Sequence, residues 1–582
     1  MAVTSAQSTT DRFGVAARVA PILGALGLEG IGPLAIVGAG ILSVAVFFGG
    51  GTRTGFAGDV VLQLACILAL IAALFLYDPG SRPLSGRITM FCLLLVAVPL
   101  VQLIPLPAWL WTRLPGRSVA AETYAAIGES IPWHSLSLAP RETWLALTSL
   151  IVPITIVLLV ARMNYVDRRA MAVAALVLAG ISSVLALAQI AGGAQSPFRF
   201  FAITNATDAV GFFANRNHFA DLMCAGILLL APFAIPSTDR KSGRASSSQA
   251  SSSQNAAALY AAVGVAGILF VGALSGSKSR AGLVLGAFSF LSAATIILRH
   301  QRAGRGSAFV KYGVIVATAV MLVIVPLALS RTAERFQADP LQDSRVAFSL
   351  KTAKLALTNL PFGSGMGSFQ PVYAMNEAPQ DMILNTYLNR AHNDLAEVLL
   401  EAGLLALVPL AFFLLWYVRR AVRIWMRPLD GAAPLDAAIA KSSTLVLLVV
   451  AAHSLLDYPL RTGAMMAVVA MCVGFMTPTI PVMIRKPAPE RIRKRRAPSS
   501  EVAPALREPA AAATSDAEAA LRAAAPKVPR RTEPAAPYAY SPEATKTFDW
   551  PEVWQEQPKP QREDGATPVG DAPAPESTRK WD

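Results

Sequence analysis

Charged side chains are scarce in this sequence, and their scarcity sets the first limit on its function. Only 15% of the 582 residues are Asp, Glu, Lys or Arg, whereas 54% are hydrophobic, and the mean hydropathy is +0.48. Soluble globular domains carry about 25% charged residues, so an ordinary soluble enzyme is excluded. The composition instead predicts an all-α, polytopic membrane protein.

Cysteine is also rare, and metal-binding patterns are missing. The four cysteines each lie inside an apolar run without CxxC spacing, so neither a zinc site nor a disulfide framework is indicated. We find no acidic cluster of the DxD type that holds magnesium diphosphate. The glycine-rich segment PFGSGMGSF at 361–369 lacks the Lys-Ser/Thr of a P-loop and is predicted to be a turn. We therefore expect no metal and no cofactor.

The formal net charge of +14 does not indicate nucleic-acid binding. The basic residues lie in short clusters between apolar runs, which is the pattern that orients a membrane protein. The sequence ERIRKRR at 490–496 is expected to contact anionic membrane lipids. The N-terminus lacks the order of a signal peptide, in which a charged region, an apolar region and small residues at a cleavage site follow one another. The first apolar run is therefore expected to be retained as a membrane helix.

Apolar runs long enough to cross a hydrocarbon core of about 30 Å recur through most of the chain. We count twelve candidate membrane helices, at approximately 31–50, 59–77, 88–106, 143–161, 170–192, 218–236, 256–274, 281–298, 311–330, 395–418, 438–456 and 463–484.

Alternate connections between these helices are rich in arginine and lysine, which the positive-inside rule assigns to the cytoplasm. Examples are Arg87, Arg168, Arg240, Arg302 and Arg423. Both termini are then cytoplasmic. The other connections share the opposite, periplasmic face and lie at 51–58, 107–142, 193–217, 275–280, 331–394 and 457–462.

These features predict three parts of the chain. Residues 1–30 form a cytoplasmic segment, and 31–484 form the membrane domain with a long periplasmic loop at 331–394. Within that loop, 341–359 has helical spacing and is expected to stop before Pro361. Residues 485–582 are basic and then rich in Ala and Pro, and predict a disordered cytoplasmic tail.

Polar residues from distant parts of the chain collect at the predicted periplasmic ends of helices. Arginine presents a fork of donors that matches phosphate oxygens, and a helix N-terminus adds a partial positive charge. The cluster therefore predicts a site for a diphosphate at the membrane surface. Its members are Asn215, Arg216, Asn217, His218, Lys278, Ser279, Arg280, Arg390, His392, His453, Asp457 and Arg461.

His392 is the candidate general base of this cluster. Imidazole has an unperturbed pKa of about 6.5 and can accept a proton from a sugar hydroxyl near neutral pH. The arginines would stabilise negative charge on a departing pyrophosphate. Structural alternatives remain open, since an arginine at a helix end is often a snorkelling anchor, Asn393 or Asp394 can cap a helix, and Asp457 can pair with Arg461.

Five motifs resemble the bacterial O-antigen ligase and O-antigen polymerase superfamily. They are NRNHFA at 215–220, SRAGLVLG at 279–286, RVAF with LPFGSGMGSF and a tyrosine at 345–373, AHNDLAEVLLEAGLLAL at 391–407, and HSLLDYPL at 453–460. The combination is more specific than any single motif, and it spans the membrane region without the tail.

The resemblance implies a GT-C-like, metal-independent, inverting glycosyltransferase of the bacterial inner membrane. Its expected donor is a glycan on undecaprenyl diphosphate in the periplasm. Its expected acceptor is a lipid A core or another lipid-linked glycan, with other polysaccharide-assembly proteins as further candidate partners. Matched motif by motif, Arg216 and Arg280 are expected to contact the diphosphate and His392 to act as base, with Arg345 as a further candidate.

The alternatives to this function are a transporter of lipid-linked glycan or polysaccharide and a protein O-glycosyltransferase. A transporter is expected to carry its charges near the bilayer midplane rather than at one end. Between ligase and polymerase, the motifs at 345–373 favour the polymerase branch and hence O-antigen or exopolysaccharide synthesis. The sequence alone leaves that choice open.

Overall fold

The computed structural model describes residues 24, 26–52, 55–76, 85–201, 204–235, 249–300, 310, 313–315, 344–377 and 388–479. The chain divides into two units, Met1–Ala488 and Pro489–Asp582, and all described residues belong to the first. The predicted tail at 485–582 and the basic connections around Arg240 and Arg302 lie outside the described residues.

The described part of the chain is almost entirely helical. Its α-helices are α1 Pro33–Phe48, α2 Ala57–Phe75, α3 Gly86–Gln102, α4 Ala108–Trp111, α5 Ser118–Ala126, α6 Pro140–Ser149, α7 Ile151–Arg162, α8 Tyr165–Ala191, α9 Arg216–Leu230, α10 Gln249–Gly276, α11 Arg280–His300, α12 Ser344–Thr358, α13 Phe369–Met375, α14 Asp394–Ala402, α15 Leu407–Met426, α16 Pro434–His453 and α17 Gly463–Met476. Two short antiparallel strands, β1 Pro105–Leu106 and β2 His134–Ser135, pair within the 107–142 connection and its flank.

Eight helical segments in the described ranges are long and apolar enough to cross a membrane, and α1, α3 and α17 are shorter apolar helices. Together they account for eleven of the twelve predicted spans. The remaining span, 311–330, lies outside the described residues except for 313–315. The helix α10 begins at Gln249, inside the serine-rich sequence at 237–255. The prediction of an all-α, multi-pass membrane protein is confirmed.

The helix α9 lies at the centre of the bundle, and nearly all of its residues are buried. It packs against α8, α10, α11 and α16. The contact with α11 is close because that helix has a glycine at the crossing, and a Cβ at Gly282 would lie 2.5 Å from the Cβ of Ala220. Small residues permit such approach between membrane helices. This packing holds the first turns of α9 and α11 side by side.

Buried polar contacts connect the helices at one end of the bundle. Asp167 accepts the Gly32 N–H at 2.6 Å and so connects α8 to the start of α1. Arg169 forms an ion pair of 2.6 Å with Asp436 at the start of α16. Arg168 donates to the Thr477 carbonyl just after α17 at 2.8 Å. We call this the anchored end of the bundle.

Backbone hydrogen bonds join the connections at the other end, which we call the site end. The Ala214 N–H donates to Gly50 O at 3.0 Å, and the Ala209 N–H donates to Gly276 O at 3.0 Å. The Asp394 N–H donates to the carbonyl of Ser454, one residue beyond α16, at 2.8 Å. Connections predicted to share one face of the membrane therefore meet at one end of the bundle.

Candidate functional site

His392 and Asp457 form the centre of the site end. His392 Nδ1 lies 3.3 Å from Asp457 Oδ1, and this carboxylate also accepts the Tyr458 N–H at 2.9 Å and the side-chain amide of Asn217. Burial raises the pKa of Asp457, but the close contact with His392 and nearby positive groups including Arg345 more than offset it, so the pKa lies well below its usual range. Asp457 is therefore an ionised partner that orients the imidazole.

Tyr458 connects this pair to the start of α9. Its ring lies edge-on to the rings of His392 and His218, with centroids 5.1 Å and 4.9 Å away. Its hydroxyl accepts a hydrogen bond of 3.4 Å from the side-chain amide of Asn215. Burial and the charge of Asp457 raise the pKa of Tyr458 to about 12. The tyrosine is thus a neutral packing and hydrogen-bonding group that fixes the plane of His392.

Arg216 and Lys278 share one carboxylate beside these residues. Arg216 Nη1 lies 2.5 Å from Asp208 Oδ2, and Lys278 Nζ lies 3.0 Å from Asp208 Oδ1. Burial raises the pKa of Asp208, but the hydrogen bonds from Lys278 and Arg216 lower it by more. The net shift of the pKa is therefore downward. Asn215 caps α9 by accepting a backbone N–H from its first turn at 2.9 Å. Arg216, Lys278 and Asp208 together keep a net positive charge, and the two basic side chains remain partly accessible to solvent.

Arg280 and Arg345 add charge at the same end of the bundle. Arg280 is the first residue of α11, whose start packs against that of α9 as described above, and its side chain is exposed. Arg345 lies in the first turn of α12, is exposed, and is close enough to Asp457 to lower the pKa of that carboxyl. The predicted convergence of Arg216, Arg280, Arg345 and His392 at one end is therefore present.

Two predicted substrate-binding arginines, Arg390 and Arg461, lie among carboxylates. Arg390 Nη1 lies 2.9 Å from Glu397 Oε1. Arg461 Nη1 lies 2.8 Å from Glu401 Oε2, and its Nε lies 3.4 Å from Asp394 and 3.5 Å from Glu397. Burial lowers the pKa of Arg461, but the three carboxylates dominate and raise it overall. These contacts attach the two connections that carry the arginines to α14.

The predicted alternative that Asp457 pairs with Arg461 is wrong. Asp457 faces His392, whereas Arg461 faces the carboxylates of α14. The capping alternative holds for Asn393, whose side chain accepts the Ala396 N–H at 3.0 Å.

The backbone at the site is strained at two positions. Among the described residues, Lys278 with φ of 52° and His392 with φ of 53° are the non-glycine residues that adopt a positive φ. Such a conformation costs on the order of 1 kcal/mol and persists only where the surroundings impose it. At His392 they do so because Glu397 accepts the N–H of Ala391 at 2.8 Å on one side and Asn393 caps α14 on the other. Glu397 thus holds the main chain that carries the candidate base.

A second histidine and carboxylate pair lies deeper in the bundle. His453 Nδ1 lies 2.6 Å from Asp221 Oδ1, and both side chains are buried. The fully buried His218 lies 4.0 Å from Asp457. The motifs NRNHFA and HSLLDYPL contain His218 and His453, but sequence reasoning missed Asp221, Asp208 and Tyr458 as partners. Spacing gave no signal for them because each partner belongs to a different helix or connection.

The turn at 361–369 has its amides engaged within the protein. The N–H groups of Ser364 and Gly365 donate to Leu400 O and Glu401 O, and that of Met366 donates to Gln102. Since these donors are occupied, the structure gives no support to phosphate binding by the turn. The segment attaches the connection between α12 and α13 to the end of α14, which agrees with the prediction of a turn.

A cavity of about 650 Å³ opens beside Asn389 and Arg390. Its wall includes Phe56 before α2 and Gln370 in α13. The Asn389 side chain lies 3.5 Å from the hydroxyl of Thr52 and also forms a hydrogen bond with the Tyr458 side chain. The cavity therefore adjoins the aromatic contact that positions His392.

Metal ligands do not cluster in the described ranges, where no group of three or more His, Cys, Asp or Glu side chains is arranged to hold an ion. A reaction without metal stays a prediction. Arg216, Arg280 and Arg345 give the helix starts at this end a positive charge.

Comparison with known proteins gives a family for part of the chain. Residues 265–411 match the family described as O-antigen ligase. The matched stretch contains Arg280, Arg345, Arg390 and His392, and it ends before Asp457. No curated protein matches the chain significantly. The resemblance seen in the motifs is confirmed over residues 265–411 of this multi-pass membrane protein, and the match supports a glycan-processing function of the O-antigen ligase or polymerase type.

Proposed function

We propose that the protein is a membrane glycosyltransferase that passes glycan from undecaprenyl diphosphate to an acceptor at the site end of the bundle. The observation that carries the proposal is the pairing of His392 with the buried, ionised Asp457 beside the positively charged starts of α9 and α11. The site end faces the periplasm and the anchored end faces the cytoplasm in this proposal, which places the enzyme in the bacterial inner membrane with both termini inside.

His392 serves as the general base. With Nδ1 directed at Asp457, the other ring nitrogen, Nε2, is left to accept a proton, and 18% of the side chain is exposed. A carboxylate that fixes the tautomer of a histidine and stabilises the imidazolium is a recurrent device in catalysis. The acceptor hydroxyl transfers its proton to Nε2 as its oxygen attacks the anomeric carbon of the donor sugar.

Arg216, Arg280 and Arg345, joined by Lys278, bind the diphosphate. They stabilise the charge that builds on the departing undecaprenyl diphosphate as the glycosidic bond breaks. The direct displacement inverts the anomeric configuration and requires no metal ion. Asp208 holds Arg216 and Lys278 in place while leaving their group net positive.

The cavity beside Asn389 accommodates the acceptor sugar. Its mixture of amide side chains with the Phe56 ring suits a carbohydrate, which presents hydroxyl groups on its rim and an apolar face. We expect Gln370→Ala to raise the KM for acceptor severalfold while leaving the KM for donor unchanged. An unchanged acceptor KM, or a donor KM that rises equally, would remove the cavity from this role.

The test of the function is transfer by the purified protein supplied with undecaprenyl-diphosphate glycan in the presence of a chelator. Product formation supports the proposal, and its loss in His392→Ala with retained donor binding supports the role of the base. Full activity in that variant would assign the base elsewhere. Translocation of donor in proteoliposomes without transfer would instead establish the transporter alternative.

For the acceptor, we favour a second lipid-linked glycan. With that acceptor the enzyme is a polymerase. Deleting the gene and separating surface polysaccharide on a gel tests this choice. Single repeats that no longer extend indicate a polymerase, whereas full-length polymer that is no longer attached to lipid A core indicates a ligase. Glycan lost from a protein instead would indicate a protein O-glycosyltransferase.

A further inference from the structure

A second cavity lies at the anchored end, between the start of α3 and the last turns of α15. It has a volume of about 640 Å³ and is lined by five arginines, Arg87, Arg419, Arg420, Arg423 and Arg427, with apolar side chains beside them. Among the described residues, no carboxylate contributes to its wall. We call it the arginine groove, and the candidate active site at the other end of the bundle does not use it.

The arginines of the groove lie close enough together to repel one another. Arg419 and Arg423, like Arg423 and Arg427, are four residues apart and lie one helical turn from each other. Like charges at this spacing destabilise a helix. The negative end of the helix dipole near Met426 offsets part of this repulsion, and Arg420 donates to the Met476 carbonyl. In the described part of the chain, Arg87, Arg419, Arg423 and Arg427 have no carboxylate partner, and all four are exposed.

Apolar side chains continue from the charged rim toward the middle of α15. Trp416 lines the groove two turns before Arg423, about 10 Å further along the helix axis. Phe412 and Leu415 lie beyond it, and Phe413 stacks on Phe91 of α3 with ring centroids 5.1 Å apart. The groove therefore presents positive charge at its mouth and an apolar wall along α15, which is the order of groups in a phospholipid.

We propose that the arginine groove is a binding site for an anionic phospholipid, with its phosphate among the arginines and its acyl chains along Trp416 and Leu415. Simple snorkelling explains single arginines at a helix end, but it does not explain five that line one cavity from two helices. Five positive charges exceed those of one phosphate, so a headgroup with two phosphates, as in cardiolipin, binds more tightly than phosphatidylglycerol. Basic pockets between membrane helices are suited to such headgroups.

The test uses the full-length protein in detergent and native mass spectrometry with added cardiolipin, phosphatidylglycerol or phosphatidylcholine. Wild type is expected to retain cardiolipin most and phosphatidylcholine least. The double variant Arg419→Gln/Arg423→Gln is expected to weaken cardiolipin retention on the order of tenfold or more, since each charge near a membrane surface contributes about 1 kcal/mol. The control is Arg113→Gln/Arg141→Gln, which removes two exposed arginines at the site end.

Further measurements separate the remaining outcomes. Trp416→Ala keeps all five charges and is expected to weaken retention of lipid without changing the preference for the anionic headgroup. Equal retention of phosphatidylcholine and cardiolipin, or equal loss in the control variant, would overturn the proposal. Displacement of cardiolipin by millimolar inorganic phosphate would show that the groove binds the anion alone. The proposal is independent of the glycosyltransferase reaction, because lipid retention is measured without substrate.

Discussion

Asp457 holds His392 from a different part of the chain, with 3.3 Å between the carboxylate Oδ1 and the imidazole Nδ1. The carboxylate comes from the connection after α16 and the imidazole from the residues before α14. Asp457→Asn keeps the size of the side chain but removes the charge that orients the ring. We expect kcat for transfer to fall by about 100-fold or more with little change in donor KM.

The control for this variant is Asp430→Asn, which changes an exposed carboxylate in the connection between α15 and α16. Single-turnover transfer and the thermal midpoint are measured for both proteins. A loss of activity that only follows a loss of stability would assign Asp457 to the fold rather than to the base.

Asp208 predicts a pH dependence of stability. Because its pKa is lowered in the folded protein, its ion pairs contribute stability above the ordinary value of about 3.9, and that contribution is lost as the pH falls through the lowered pKa. We expect Asp208→Asn to reduce the thermal midpoint at pH 6 and the difference from wild type to shrink below about pH 4. A difference that grows on acidification would contradict the assignment.

Arg461 and Arg141 test the difference between buried and exposed ion pairs. Arg461→Gln leaves the carboxylates of Asp394, Glu397 and Glu401 without their shared cation, and breaking a buried pair in this way costs about 3 to 5 kcal/mol. Arg141→Gln removes a pair with Glu142 in which the arginine side chain is 82% exposed, and we expect no measurable change. Denaturant unfolding in detergent measures both. Equal effects would mean that the buried cluster does not hold the loop.

Gly282 and Gly264 form a matched pair for helix packing. An alanine at 282 places its Cβ 2.5 Å from that of Ala220, so α9 and α11 must separate, at a cost of about 1 to 3 kcal/mol. An alanine at 264 meets nothing within 4 Å and is expected to be neutral or slightly stabilising. Because α9 carries Arg216, we expect Gly282→Ala also to raise donor KM. An unchanged donor KM would show that the packing of α9 against α11 does not affect the candidate donor site.

Hydropathy was sufficient to predict eleven of the helices and the convergence of their connections, because a membrane segment must be long, apolar and helical. The cap of α14 by Asn393 was among the predicted alternatives, whereas the cap of α9 by Asn215 was not predicted. The alternation of the helices brought Arg216, Arg280 and His392 to one end, as the sequence indicated.

The ion-pair partners of these residues could not be predicted from hydropathy or motif spacing. Arg390 and Arg461 carry the same side chain as Arg216, and only the fold distinguishes them, since α14 presents Glu397 and Glu401 to them. Asp208 lies in a connection without a motif, and its two partners come from α9 and the residues before α11. Ion pairing between distant segments depends on helix packing, which periodicity does not specify.

The left-handed backbone at His392 also determines which substitution is suited to an inactive variant that still binds donor. Asparagine tolerates that conformation far better than alanine does, so His392→Asn removes the imidazole while preserving the path of the chain between Ala391 and Asn393. Such a variant is expected to capture lipid-linked glycan without consuming it. It would be the form in which to isolate the donor complex and to identify the natural sugar from a cell extract.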